Sequence, residues 1–213
     1  GRVGGEGGGG AAGREELRGG RAMAEGGGVR LVLDEVQGGK GRTGKCCAQE
    51  WAGIAPDVVA IAKGIGGGFP LGAFMATEEA AKGMVPGTHG STFGGNPLAV
   101  AVGNAVLDVL LEDGFLDNVD RVARAMWGRL KDLVARYPAI FEDLRGAGLM
   151  VGMKCVVPVG DMVVALQKEG LLTVPAGDNV VRLLPPLNID NSHVDEALTI
   201  LDKIAGSWES DDG

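Results

Sequence analysis

The chain has no excess of positive charge and no long apolar run. Lys and Arg number 20 against 28 Asp and Glu, a formal net charge of −8 at neutral pH. A field of that sign repels phosphate backbones, which argues against nucleic acid and anionic membrane as partners. No stretch approaches the roughly 18 to 20 apolar residues that cross a bilayer, and the first thirty residues lack the apolar block of a signal peptide. A soluble compartment, the cytoplasm, is therefore expected, with small molecules and other protein chains as partners. Cysteine is scarce too: adjacent Cys46 and Cys47 and the distant Cys155 supply neither a disulfide framework nor a zinc set, and read as reduced thiols.

What is present suffices for one globular domain or one and a half, since 45% of the 213 residues are hydrophobic. Residues 1–28 hold 13 glycines and no initiating methionine. That density opposes ordering and predicts a flexible start. From Val29 to Leu33 the chain is nearly continuously apolar and ends in Asp34, as a buried parallel strand would; Asp57 to Ala62 is a second such run, ending at Lys63. Open α/β sheets bind ligands at the carboxyl ends of their strands, so Asp34 and Lys63 can share a site.

Leu71 to Ala76 reads as another strand, with Thr77 as N-cap of a short helix through Lys82. Asn96-Pro97 is a strong helix start, the helix running to about Glu112. A second helix, Leu116 to Arg136, gathers Val119, Val122, Met126, Leu130, Leu133 and Val134 on one face. Beyond it the pattern shortens to strands at 149–154, 171–174 and 180–184, a helix at 161–169, and a last helix from Ser192 to Ala205 whose Ser192 and Asp195 approach a capping box.

An aldehyde cofactor that forms an imine needs a confined amine, which Lys63 can supply. A pyridine ring acting as electron sink keeps its nitrogen protonated beside a buried carboxylate, a role open to Asp34. A phosphate needs amide and hydroxyl donors, and Gly90-Ser91-Thr92-Phe93-Gly94-Gly95 before the helix at Asn96 offers them. Taken singly, each of these residues has a plainer reading as a cap, a surface cation or a turn residue.

Four motifs in order resemble the class III, ornithine-type aminotransferases: Leu33-Asp34-Glu35-Val36-Gln37, Gly41-Arg42-Thr43-Gly44, Ala62-Lys63-Gly64-Ile65-Gly66-Gly67-Gly68-Phe69-Pro70, and His89-Gly90-Ser91-Thr92-Phe93-Gly94-Gly95-Asn96-Pro97. The resemblance implies an α/β fold of the pyridoxal-phosphate-dependent transferases, fold type I, in which residues 29–136 form the C-terminal part of the large, mostly parallel-sheet domain and 137–213 a small α+β domain, after the glycine-rich 1–28. It implies pyridoxal 5'-phosphate as cofactor, bound as a Schiff base by Lys63, with Asp34 on the pyridine nitrogen, Val36 and Gln37 at the ring, and Ser91 and Thr92 at the phosphate. Thr92 would reach the neighbouring subunit's cofactor in a homodimer. Arg182 would hold a substrate carboxylate, with Ser91 beside the substrate, and Glu6, in Gly5-Glu6-Gly7-Gly8, would pair with Arg182 when no carboxylate is there. The flanks of Glu6 depart from the family: Gly1-Arg2 stands where it has Glu-Pro, and Gly4 where it usually has Gln.

Ala176 to Leu187 is most similar to the members acting on N-acetylornithine, which implies amino transfer from N2-acetyl-L-ornithine to 2-oxoglutarate, giving glutamate, within arginine biosynthesis. Ornithine or 4-aminobutyrate as donor, or a non-catalytic paralogue, are the alternatives. Family members carry a long N-terminal portion with further cofactor contacts, so the chain is expected to be the C-terminal part of such an enzyme.

Overall fold

The computed structural model describes residues 13–211. Contacts divide them into two units, the first holding residues 13–41 and 45–116, the second residues 42–44 and 117–211.

The first unit opens with helix α1 (Arg14–Gly27), where glycine density predicts a flexible segment. Tertiary bonds overcome the low propensity. Ala24 is buried, Arg18 Nε donates to Ala52 O at 2.8 Å, and Arg21 Nη1 donates to Asp57 Oδ2 at 2.8 Å. Glu15 and Glu16 in the first turn suit the positive end of the helix dipole.

Strands β1 (Val32–Asp34), β2 (Val58–Ala62) and β3 (Gly72–Ala76) form a sheet in that order, β1 parallel to β2 and β3 antiparallel to it. The two apolar runs do pair in parallel, but β1 is shorter than expected and Val32 is 60% exposed, so it is not a buried strand. The core lies under β2. Val59 and Ile61 alternate inward and join Ile65.

Helix α2 (Glu78–Ala81) is capped by Thr77, whose Oγ1 accepts the Ala80 N–H at 3.2 Å. Helix α3 (Pro97–Leu110) starts at Asn96, whose Oδ1 accepts the Ala99 N–H at 2.9 Å, and its Leu107 packs on the Val59 cluster.

Asp57 ties α1 to the sheet. Its Oδ2 accepts the Leu31 N–H at 2.8 Å as well as Arg21, and Arg30 lies 3.6 Å from Oδ1. The Leu31 amide first, then the two guanidiniums, hold its carboxyl below the usual carboxylate range. A depressed folded-state pKa stabilises above the ordinary value of about 3.9 and is lost as pH falls through the depressed one. Asp57→Asn should therefore speed protease cleavage within residues 14–27 at pH 7, and the difference from wild type should shrink as pH drops below about 4.

The second unit is built on helix α4 (Phe115–Arg136), whose first two residues close the first unit. The sequence attaches this helix to the domain before it, whereas its packing belongs with the strands and helices C-terminal to it. Val119, Val122, Met126, Leu130 and Leu133 are buried, as the periodicity predicts. Then come β4 (Phe141–Ala147), β5 (Met150–Cys155), α5 (Val159–Lys168), β6 (Val174–Ala176), β7 (Val180–Leu183) and α6 (Asn191–Asp211), the strands forming an antiparallel sheet in the order β4-β5-β7-β6.

Sequence reading misses β4, whose charged stretch and irregular register near Phe141 and Asp143 mask its alternation. It also places the third strand at 171–174, where the structure has β6 from Val174. The cap of α6 is Asp190 rather than Ser192: Asp190 Oδ1 accepts the Ser192 N–H at 2.9 Å, and the Ser192 and His193 side chains help hold its carboxyl well below the usual range.

A tight knot joins Arg42–Gly44 to the β4–β5 turn. Arg42 Nη1 donates to Leu149 O at 3.2 Å and Pro185 O at 2.5 Å, while Arg42 O accepts the Leu149 N–H at 2.9 Å. Trp127 Nε1 donates to Gly148 O at 2.8 Å. Gly148 sits at φ +57°, where a Cβ would lie 2.4 Å from Arg42 O and 2.5 Å from Thr43 Cα.

Candidate active site

The parallel register sets Asp34 beside Ala60, three residues before Lys63, so an acid and an amine stand at the carboxyl ends of neighbouring strands. The ladder runs one residue past β1, Glu35 N–H donating to Ala60 O at 2.9 Å. Successive side chains of extended chain point to opposite faces, and the two carboxylates part accordingly. Asp34 is exposed, its Oδ1 accepting the Val36 N–H at 3.0 Å, which fixes the carboxylate at the strand end. Glu35 turns inward, its carboxylate taking the Ala48 and Gln49 N–H groups at 3.1 and 2.9 Å. Burial raises the Glu35 carboxyl, and those amides and Lys40 oppose the rise. Glu35 is thus structural, a role its place beside Asp34 in the sequence does not reveal. Val36 and Gln37 come next in the turn, both half-buried.

Lys63 begins a 3₁₀ turn, Lys63–Gly66, directly after β2 and adopts φ +52°. A left-handed backbone costs a non-glycine residue about 1–2 kcal/mol, and such strain gathers at functional positions. It is maintained by α3, which packs closely against the turn. A Cβ on Gly103 would meet Leu71 Cδ2 at 2.8 Å, and one on Gly67 would meet Val106 Cγ2 at 2.8 Å. The segment after β2 is therefore clamped between its own buried Ile65 and the helix.

The loop before α3 is a run of tight turns. Gly94 N–H donates to Ser91 O at 3.2 Å, Asn96 N–H to Phe93 O at 3.2 Å, and Asn96 Nδ2 to the same Phe93 O at 2.8 Å. Ser91 and Thr92 are exposed on this loop, ahead of the N-terminus of a 14-residue helix. The first unit thus holds six of the residues singled out by sequence: Asp34, Val36 and Gln37 at one strand end, Lys63 at the next, and Ser91 and Thr92 on the α3 loop. Arg182 lies in the second unit, on β7 opposite Gly152 of β5 and Val174 of β6, half-buried. Glu6 lies outside the described residues.

The donor set suits an aldehyde-bearing, phosphorylated pyridine. Lys63 offers a primary amine for the carbonyl carbon and Asp34 a carboxylate for a ring cation, while Ser91 and Thr92, on the separate loop that leads into α3, carry hydroxyls of the kind that donate to a phosphate. Sequence reading missed Lys40, buried at 5% exposure with φ +57°, because only the turn geometry carries it inward.

Residues 2–205 match the family model described as Aminotransferase class-III. The chain is 58% identical over 194 residues to the acetylornithine aminotransferase of Brucella melitensis, covering 91% of this chain and 48% of that protein. It is 57% identical over 178 residues to that of Mesorhizobium japonicum, covering 84% and 45%. The chain thus spans about half the length of these curated relatives. Among solved structures, the N-acetylornithine aminotransferase of Stenotrophomonas maltophilia aligns with a TM-score of 0.85 at 34% identity, covering 97% of this chain and 55% of that one. The ornithine aminotransferase of Plasmodium yoelii aligns at 0.88 and 32%, covering 93% and 53%.

Proposed function

The chain belongs to the class III aminotransferases, and on that premise we propose that the protein it comes from transfers the amino group of N2-acetyl-L-ornithine to 2-oxoglutarate with pyridoxal 5'-phosphate as cofactor. The observation that carries the reading is the placement of Asp34 and Lys63 at adjacent carboxyl ends of parallel strands. Identity of 57–58% to proteins named acetylornithine aminotransferase supports the choice of donor.

When bound, the cofactor supplies an aldehyde that condenses with amines and a ring that withdraws electrons. Lys63 Nζ would be the amine that holds that aldehyde and, when free of it, the base that moves a proton on and off the substrate carbon. Asp34, held by the Val36 amide, would keep a proton on the ring nitrogen by charge and hydrogen bonding. Val36 and Gln37 would border the ring, with Gln37 assigned to its 3-oxygen, and Ser91 and Thr92 would give hydroxyl donors to a phosphate. We assign the phosphate to the neighbouring protomer of a homodimer in the case of Thr92, and a substrate carboxylate to the fork of Arg182, with Ser91 beside the substrate and Glu6 as the counter-charge of Arg182 when no carboxylate is bound. A cytoplasmic location is part of the same reading, supported by three free cysteines. Among the described residues no helix is long and apolar enough to cross a membrane.

The test compares N-acetylornithine, ornithine and 4-aminobutyrate as donors to 2-oxoglutarate, using the full-length protein that contains this chain. N-acetylornithine should lead in kcat/KM by about tenfold or more, a gap of about 1.4 kcal/mol in transition-state binding. A lead for ornithine or 4-aminobutyrate reassigns the donor, and no transfer from any of the three removes the aminotransferase reading.

A further inference from the structure

Outside the strand-end site, the loop after β1 gathers a second set of reactive side chains. Residues Lys40 to Cys46 form a hairpin-like bend closed by Lys40 N–H donating to Cys46 O at 2.6 Å and Gly41 N–H to Lys45 O at 3.1 Å. The bend folds the Lys40 side chain back over both thiols, Nζ lying 3.9 Å from Cys46 Sγ and 3.9 Å from Cys47 Sγ. Glu50 completes the group. Its Oε1 accepts the Cys47 N–H at 2.6 Å as the capping partner of the 3₁₀ turn Ala48–Ala52, and its carboxylate and the two sulfurs lie within 4.8 Å of one another.

We propose that Cys46, Cys47 and Glu50 form a binding site for a thiophilic divalent cation of the zinc and cadmium class, with Lys40 as the neighbouring cation that balances its charge. Two thiolates and a carboxylate around a divalent ion leave one negative charge, which the buried ammonium of Lys40 offsets while donating toward sulfur, as outer partners of metal ligands do. Bond lengths of about 2.3 Å to sulfur in a tetrahedral site place sulfur atoms about 3.8 Å apart, so separations of at most 4.8 Å need to close by no more than about 1 Å on binding. Three protein ligands leave the fourth position to water.

Binding releases the thiol protons to solvent: each S–H bond still present breaks heterolytically as the sulfur–metal bond forms, and no electron is transferred. Cys46 is half-buried and Cys47 buried, so the ion would enter from the Cys46 side. Sequence spacing argued against a metal set, because it counts only cysteines and cannot see Glu50 and Lys40 converge on them.

The experiment is a cadmium titration of the reduced, demetallated full-length protein that contains this chain, followed by the ultraviolet thiolate-to-cadmium charge-transfer band. The band should saturate at one ion per chain, vanish at that stoichiometry in Cys46→Ser and in Cys47→Ser, and persist in Cys155→Ser. Glu50→Gln keeps the turn capped, since an amide oxygen still accepts the Cys47 N–H, and should weaken binding by about tenfold or more. Circular dichroism accompanies each variant, and if a cysteine variant unfolds, the Glu50→Gln shift decides. No band at stoichiometric cadmium, an unchanged titration in a folded Cys46→Ser or Cys47→Ser variant, dependence on Cys155, or unaltered affinity in Glu50→Gln overturns the assignment.

Discussion

Lys63→Ala is expected to abolish labelling when the full-length protein is mixed with pyridoxal phosphate and reduced with borohydride, which fixes a lysine-bound aldehyde irreversibly. Wild type should carry one label, mapped by mass spectrometry to the peptide holding Lys63. The alanine variant should show only scattered background. Turnover should fall by about 10⁴ or more, because on the proposed assignment one amine would both hold the cofactor and move the substrate proton, and positioned proton transfer alone accounts for about 10²–10⁴. Asp34→Ala should make the contrast: on the proposed assignment the cofactor should stay bound through its other contacts while the rate drops, since the carboxylate would act on the ring's electron demand. Stoichiometric labelling elsewhere in Lys63→Ala, or a near-normal rate in Asp34→Ala, would overturn the respective assignment.

Gly148→Ala should destabilise the second unit by about 2–5 kcal/mol. Two effects add. The φ of +57° costs an L side chain about 1–2 kcal/mol. The new methyl meets backbone, at 2.4 Å from Arg42 O and 2.5 Å from Thr43 Cα, and overpacking against atoms that cannot rotate away costs about 1–3 kcal/mol more. Relief would require moving Arg42–Gly44, which breaks the bonds of Arg42 to Leu149 and Pro185. Gly128, in α4 with nothing within 4 Å of a built Cβ, is the control. Gly128→Ala should stabilise by about 0.5–1 kcal/mol, since alanine is the better helix former. Denaturant unfolding followed by tryptophan fluorescence reads both, and equal midpoints for the two variants would refute the packing argument.

Much of this was legible beforehand because it depends on short-range chemistry. Asn96 and Thr77 cap the helices they precede, and the buried face of α4 tracks its apolar spacing. Asp34 and Lys63 stood out because each ends an apolar run. The misreadings came from long-range contacts. Helix α1 owes its order to Asp57 and Ala52, more than 30 residues away, which no local count of glycines registers. Strand β4 hides behind charged residues that pair across the sheet and beyond it, Glu142 with Lys154 and Arg145 with Asp178. The thiol pair looked inert because Lys40 reaches it only through a left-handed turn.

Among the described residues, β2 is bonded on both sides, to β1 and to β3, and Lys63 is the residue directly after it. Its Cα is therefore anchored to the strand of that sheet that is bonded on both sides, and the amide hydrogens of β2 should exchange with solvent more slowly than those of β1 and β3.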